Sequence, residues 1–207
     1  MKYSIHTILC GAYQENAYLL CPEGRDDAVL IDPGDDDPAL AQGIAASGRK
    51  LGAILLTHGH FDHMLGAQPL AHSTGAKVYI HPQDVELLCD PEINAYDPGC
   101  ATRPNPTAFD TEALGEEIEV CGIRFKVLHT PGHTKGSVCF YDEENGLLFS
   151  GDTLFRVGFG RIDMYGGSAK EMRNSLRLLF ALPEDTLVYP GHGPETAIAA
   201  ERGRYYL

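Results

Sequence analysis

The feature that most constrains this chain is a short apolar strand followed at once by four ionisable side chains. The apolar residues 54–56 lead into Thr57-His58-Gly59-His60-Phe61-Asp62-His63. Imidazole and carboxylate groups are ligands that zinc, iron and manganese accept. A tight turn that leaves a strand can direct His58 and His60 to one side and Asp62 and His63 to the other. This pattern therefore allows two adjacent metal centres.

Three more residues of the same types occur later in the chain, each just beyond an apolar run and each flanked by small residues. They are His133 after the run 123–128, Asp152 after the run 147–150, and His192 after the run 186–189. Small neighbours let the backbone approach a crowded centre. We therefore expect four strand ends to converge with five histidines and two aspartates. Those seven groups suffice for two metal ions if one carboxylate is shared.

Short apolar runs of strand length recur between turn signals. They are 17–21, 28–32, 53–57, 77–81, 118–121, 123–128, 137–141, 147–150 and 186–189. Asp37-Pro38 opens a helical pattern that stops near Gly48, and Ser168-x-x-Glu171 is a capping box before a helix that ends ahead of Pro183. The alternation predicts an α/β (α+β) fold, in which helices cover two sheets from outside. We expect one domain over residues 1–207.

The charge balance disfavours several classes of partner. Lys and Arg number 16 against 29 Asp and Glu, a net charge of −13, so the field repels nucleic acid and anionic membrane surfaces. No run reaches the roughly 20 apolar residues of a membrane span, and the first residues lack a signal-peptide core. We therefore expect a cytoplasmic protein with a small-molecule substrate and no nucleic-acid or membrane partner. The oligomeric state stays open.

The order of these motifs resembles the metallo-β-lactamase-fold hydrolases, and Ile31-Asp32-Pro33-Gly34 matches an early motif of that superfamily. Residues 148–155 and Gly160-Arg161 resemble glyoxalase II, the hydroxyacylglutathione hydrolase. Because 15 residues follow His192, the resemblance is to a short form without the C-terminal helical domain. It implies a four-layer αββα sandwich with the metals at one edge between the two sheets.

The resemblance also implies a ligand set and cofactors. Two divalent ions are expected, zinc first, with iron or manganese as alternatives. The first ion would take His58, His60 and His133, and the second would take Asp62, His63 and His192. Asp152 would bridge the two ions.

The implied activity is hydrolysis of a thioester, such as an S-2-hydroxyacyl thiol, by a metal-bridging hydroxide. Metal binding lowers the pKa of water from 15.7 to about 7, and a thiolate leaving group departs without a proton donor. Asp62 is expected to orient the hydroxide. Asp32 is a candidate to fix the tautomer of a ligand histidine, or else to cap its own turn. Arg161 is a candidate to bind substrate, or else to pair with Asp163.

Other activities stay open on the same fold. A persulfide dioxygenase would use a single iron held by His58, His133 and Asp152, and a lactonase or β-lactamase is a further alternative among the hydrolases. Asp163 and Pro194 stand where the glyoxalase II family has tyrosines that contact glutathione. The thiol carrier of a thioester substrate is therefore open as well.

Overall fold

The computed structural model describes residues 1–205, so Tyr206 and Leu207 of the predicted domain 1–207 lie outside the described residues. The first sheet has six strands in the order of the chain. They are β1 (Tyr3–Cys10), β2 (Glu15–Pro22), β3 (Asp27–Ile31), β4 (Lys50–Leu55), β5 (Lys77–Ile80) and β6 (Glu112–Ala113). Strands β1 to β3 pair antiparallel and β3 to β6 pair parallel.

The second sheet also has six strands, in the order β12-β11-β10-β9-β8-β7. They are β7 (Glu117–Val120), β8 (Ile123–His129), β9 (Val138–Asp142), β10 (Leu147–Gly151), β11 (Leu187–Pro190) and β12 (Thr196–Ala197). Every pairing is antiparallel except that of β10 with β11. This parallel pair brings the ends of two strands to the same edge.

Within residues 1–205, five α-helices and one 3₁₀ helix accompany the sheets. They are α1 (Pro38–Ser47), α2 (Phe61–Met64), α3 (Ala67–Thr74), the 3₁₀ helix Pro82–Leu87, α4 (Ala169–Leu179) and α5 (Ile198–Arg202). The predicted ends of α1 hold, since the Asp37 side chain accepts the Ala39 N–H at 2.8 Å and Gly48 ends the helix at φ 65°. Ser168 caps α4 by accepting the Glu171 N–H. None of the helices in residues 1–205 is long and apolar enough to span a membrane.

Three apolar layers hold the sheets and helices together. The middle layer lies between the two sheets and includes Leu20, Leu55 and Phe149. Alternation along each strand sends the neighbouring residues to the outer faces, where Leu19 and Ile54 pack with α1 to α3. On the far side, α4 and α5 cover the second sheet. The predicted αββα sandwich is confirmed.

Strand β4 begins and ends earlier in the chain than predicted. The sequence pattern ends it at Thr57, but the sheet ladder stops at Leu55. The Thr57 N–H donates instead to the Asp32 carboxylate at 2.7 Å, and the Thr57 carbonyl accepts the N–H of Val138 in the second sheet at 2.9 Å. The chain therefore leaves the first sheet two residues early and turns toward the junction between the sheets.

Candidate metal centre

The seven predicted ligands meet at one edge of the sandwich, where strands of both sheets end. His58 and His60 lie in the loop after β4, and Asp62 and His63 lie in the first turn of α2. His133, Asp152 and His192 follow β8, β10 and β11. The structure thus brings all seven side chains together. Their role as metal ligands stays a prediction.

The first group of donors consists of His58, His60 and His133, all buried. One ring nitrogen from each lies within 4.8 Å of the others. His60 Nδ1 lies 2.8 Å from His133 Nε2, and the ring of His58 lies 4.8 Å from the ring of His133. Three imidazoles arranged in this way can offer three nitrogen lone pairs to one cation.

The second group consists of Asp62, His63 and His192, whose donor atoms also lie within 4.8 Å of one another. His192 Nε2 is 3.4 Å from Asp62 Oδ2. Asp152 lies between the groups, with Oδ1 3.4 Å from His63 Nε2 and Oδ2 3.5 Å from His133 Nε2. Each oxygen of this carboxylate therefore faces a different group, as a bridging ligand requires.

Several buried atoms of the cluster lack a hydrogen-bond partner. Within residues 1–205 they include His58 Nε2, His60 Nε2, His63 Nε2 and Asp152 Oδ1. Leaving a buried polar atom unpaired costs about 1–3 kcal/mol, so such a concentration is unfavourable in a site holding only protein atoms. A bound cation would satisfy nitrogen and carboxylate donors of this kind. The residues present therefore fit a metal site.

The electrostatics at His58, His60 and Asp152 favour the forms that bind a cation, whereas Asp152 and Asp32 raise the pKa of His63 well above its usual value against the effect of burial. Burial, and then the neighbouring histidines, hold the pKa of His58 well below its usual range. Burial and His133 lower the pKa of His60 to about 3. Burial alone would raise the pKa of Asp152, but the adjacent histidines, led by His63, lower it. Neutral imidazoles and an ionised carboxylate are the ligand forms at neutral pH.

Asp32 contacts one of the predicted ligand histidines and also anchors the turn after β4, which is not its own turn. Its carboxylate accepts the N–H of Thr57 at 2.7 Å and the Thr57 hydroxyl at 2.6 Å, so it anchors the turn after β4. The same carboxylate lies 3.0 Å from His63 Nδ1, which fits a hydrogen bond donated by the histidine. That bond leaves His63 Nε2 free to face Asp152.

Arg161 lies beside the cluster, but its side chain points away into solvent. The guanidinium is 69% exposed and makes two hydrogen bonds with Asp163, at 3.0 and 2.9 Å. Its backbone carbonyl lies 2.8 Å from His133 Nδ1 and so helps to orient that ring. The side chain adopts the ion pair considered as the alternative. Substrate binding by Arg161 stays a prediction.

Close approach of the backbone explains one of the small residues next to the ligands. A Cβ added at Gly191 would lie 2.5 Å from Asp152 Oδ1 and 2.6 Å from His63 Cε1. Such contacts are too short for any side chain, so only glycine lets β11 deliver His192 to this position.

Sequence reasoning missed two buried acids next to the cluster. Glu15 is fully buried at the start of β2, with Oε1 3.8 Å from His63 Nδ1 and neither oxygen hydrogen-bonded. Burial raises the pKa of Glu15 well above its usual value. Asp84, in the 3₁₀ helix, contacts the loops that carry His58, His60 and His133. Glu15 precedes a predicted strand, and Asp84 follows the predicted strand 77–81 but belongs to no ligand motif, so only their burial identifies them.

Comparison with known proteins gives consistent relatives. The sequence model of the metallo-beta-lactamase superfamily matches residues 10–192. An uncharacterized protein of Mycobacterium leprae is 37% identical over 93% of this chain and 92% of its own length. The probable metallo-hydrolase YqgX of Bacillus subtilis is 36% identical over 93% and 91%. The hydroxyacylglutathione hydrolase GloC of Haemophilus influenzae is 32% identical over 96% and 95%.

Two solved structures are also similar to this chain over nearly their whole length. The BLEG-1 B3 metallo-beta-lactamase superposes with a TM-score of 0.89 at 36% identity, covering 97% of both chains. TTHA1623, solved in a di-iron-bound form, superposes with a TM-score of 0.84 at 41% identity, covering 95% of this chain and 96% of its own. A paired metal centre thus occurs in a neighbour of similar length.

Proposed function

We propose that the substrate is a small acyl thioester of the S-2-hydroxyacyl thiol type. The premise is that this chain belongs to the metallo-beta-lactamase superfamily and is a metal-dependent hydrolase. The observation that carries the metal part is the position of Asp152 between two groups of three donors. The thioester part is supported by the likeness to a hydroxyacylglutathione hydrolase of nearly the same length.

Two divalent ions are the proposed cofactors, with zinc as the first choice and iron or manganese as alternatives. His58, His60 and His133 would hold one ion, Asp62, His63 and His192 the other, and Asp152 would contact both. Bound there, the ions would lower the pKa of water to about 7 and stabilise the negative charge that develops on the substrate carbonyl. The di-iron form of a similar structure supports a pair of ions and keeps iron among the candidates.

Asp62 and His192 are the partly exposed members of the second group, at 20% and 27%. Because the first group is buried, substrate and water would enter from the side of Asp62 and His192. The hydrogen bond from His192 lowers the pKa of Asp62 against the opposing effect of burial, so this side chain is a carboxylate at neutral pH. We assign Asp62 the role of accepting a hydrogen bond from the attacking water and so orienting it. Asp32 keeps the Nδ1 proton of His63 turned away from that water.

The leaving group favours a thioester over an amide. A thiol has a pKa near 8.5 and departs as the anion, whereas an amide nitrogen needs a proton as the bond breaks. No side chain of the sequence motifs has to serve as a separate acid in this scheme. The ion pair of Arg161 with Asp163 is exposed, and such pairs exchange easily, so Arg161 can be released to bind an anionic substrate group.

The test combines metal analysis with a substrate screen of the purified full chain. We expect two metal ions per chain and release of free thiol from an S-2-hydroxyacyl glutathione, faster than hydrolysis of a lactone or a β-lactam. The matched control is His72→Ala, which removes an exposed histidine of α3 outside the cluster. The thioester proposal would be overturned if the chain held one iron and consumed oxygen with a persulfide substrate. It would also be overturned if the chain hydrolysed a β-lactam faster than the thioester.

A further inference from the structure

A fully buried aspartate connects the two loops that supply the first group of donors. Asp84 accepts the Gly59 N–H at 3.0 Å, the Thr134 hydroxyl at 2.6 Å and the Gly136 N–H at 2.6 Å. Gly59 separates His58 from His60, and Thr134 follows His133. One carboxylate therefore binds both loops next to all three imidazoles.

The packing around Asp84 leaves no room for a side chain at the glycine where each loop meets it. A Cβ at Gly59 would lie 2.7 Å from Leu87 Cβ and 2.9 Å from the Asp84 carbonyl oxygen. A Cβ at Gly136 would lie 2.7 Å from both the backbone nitrogen and Oδ1 of Asp84. Both loops thus lie with bare backbone against the 3₁₀ helix Pro82–Leu87, and a shift of that helix would move them.

We infer that Asp84 is a positioning residue for the first metal position. By holding the turn between His58 and His60 at a fixed distance from the His133 loop, it makes the three ring nitrogens converge on one point. Carboxylates that orient ligands from outside the ligand set affect metal affinity strongly. The inference rests on the metal part of the proposed function and is independent of the thioester substrate.

The decisive variant is Asp84→Asn, which preserves size but replaces one acceptor oxygen by an amide donor. Whichever oxygen is replaced, the new N–H group faces an N–H of Gly59 or of Gly136. The matched control is Asp142→Asn. Asp142 is also buried and also accepts three hydrogen bonds, from the Tyr3 hydroxyl and from the backbone and side chain of Asn145, but it lies at the far end of β9.

The measurement is a zinc titration of each metal-free protein in competition with a chelator, which yields two stepwise dissociation constants. We expect Asp84→Asn to raise one constant roughly 10- to 100-fold and to leave the other within about twofold. Asp142→Asn should change neither constant, even where chemical denaturation shows that it lowers stability. This difference separates positioning of ligands from general support of the fold.

Three results would overturn the inference. Asp84→Asn could leave both dissociation constants unchanged, it could weaken zinc binding equally at both positions, or Asp142→Asn could show the same pattern as Asp84→Asn. If Asp84→Asn does not fold, Thr134→Val removes the hydroxyl that donates to Asp84 and contacts Ser137 Oγ, and it should raise the same constant by a smaller factor, while Thr134→Ser should not. Equal constants in Val and Ser variants would overturn it too. A wild-type chain that binds no zinc, iron or manganese would instead overturn the proposed function, and this inference with it.

Discussion

Among single residues, Asp152 has the most direct consequence for the proposed function, because its two oxygens face different donor groups. Replacing it with alanine removes its contacts with His63 and with His133 together. We predict that Asp152→Ala loses metal at both positions and that thioester hydrolysis falls about 100-fold or more, since several kcal/mol of transition-state stabilisation depend on the ions. Metal analysis and a thiol-release assay on the same sample measure both effects.

The comparison for this variant is His72→Ala, which should keep both ions and the wild-type rate. Full activity of Asp152→Ala with two ions still bound would contradict the bridging role. Loss of one ion alone would assign Asp152 to a single position.

Cys139 provides a residue-scale prediction of pH dependence. Burial raises the pKa of this thiol from its usual 9.0 to about 11, although Thr130 and Thr153 lower it slightly. Between pH 9 and 11 the thiol therefore ionises in the unfolded chain but stays protonated in the folded one. The unfolded state binds fewer protons there, so stability is complete below pH 9 and is lost as pH rises through 11. The contribution of Cys139 is about 2–3 kcal/mol.

The measurement is the free energy of unfolding by urea at pH 8 and pH 11, for wild type and for Cys139→Ala. Other groups that titrate in this range affect both proteins alike, so the difference isolates Cys139. The variant should be less stable at pH 8, because it leaves a cavity in the core, but should lose less on going to pH 11. An identical pH dependence in the two proteins would show that Cys139 does not titrate as described.

Among the secondary-structure elements, those with local signals were predictable from sequence. Helix α1 has a capping Asp, a first-turn Pro and a C-terminal Gly, and its observed ends agree with these residues. Helix α4 also begins after the predicted Ser168, whose side chain accepts the Glu171 N–H, although the Ser168 N–H donates to Gly132 and not to Glu171. Apolar runs likewise predicted eight strands to within about two residues at each end and β4 to within three, because burial between layers requires such runs.

Some of the elements missed by sequence reasoning depend on tertiary contacts. Helix α2 has four residues, and the Phe61 N–H at its start donates to the carbonyl of Asn94 in a distant loop at 3.0 Å. Strand β6 has two residues and exists only as the edge partner of β5. The early end of β4 follows from Asp32, 25 residues away from Thr57 in sequence. None of these interactions leaves a periodic pattern in the chain.

The candidate site shows the same division. The ligand types, order and strand-end positions predicted a convergence that the structure reproduces in space. The supporting acids Glu15 and Asp84 were not predicted, because a buried acid away from any motif is indistinguishable in sequence from an exposed one. The ion pair of Arg161 with Asp163 could not be predicted either, since the sequence alone allowed both this pair and a contact with substrate.

For the whole molecule, the important property of the candidate site is that each donor group combines residues from both sheets. His58 and His60 follow β4 of the first sheet, while His133 follows β8 of the second. In the second group, Asp62 and His63 lie in α2, which also follows β4, and His192 follows β11 of the second sheet. A cation in either group would therefore connect the two halves of the sandwich, and separation of the sheets would release it.

This arrangement predicts that metal removal lowers the stability of the entire fold. An ion that binds only the folded state stabilises it by about 2.7 kcal/mol when its free concentration is 100 times the dissociation constant. For a chain of this size that energy corresponds to about 5–10 °C in Tm. We expect calorimetry to show a fall of this order after chelation and full recovery on adding zinc, whereas Asp152→Ala should respond much less to either treatment. Equal Tm values for the metal-free and zinc-loaded wild type would mean that no cation joins the sheets, and would refute the ligand assignment even if both sheets are otherwise packed as described.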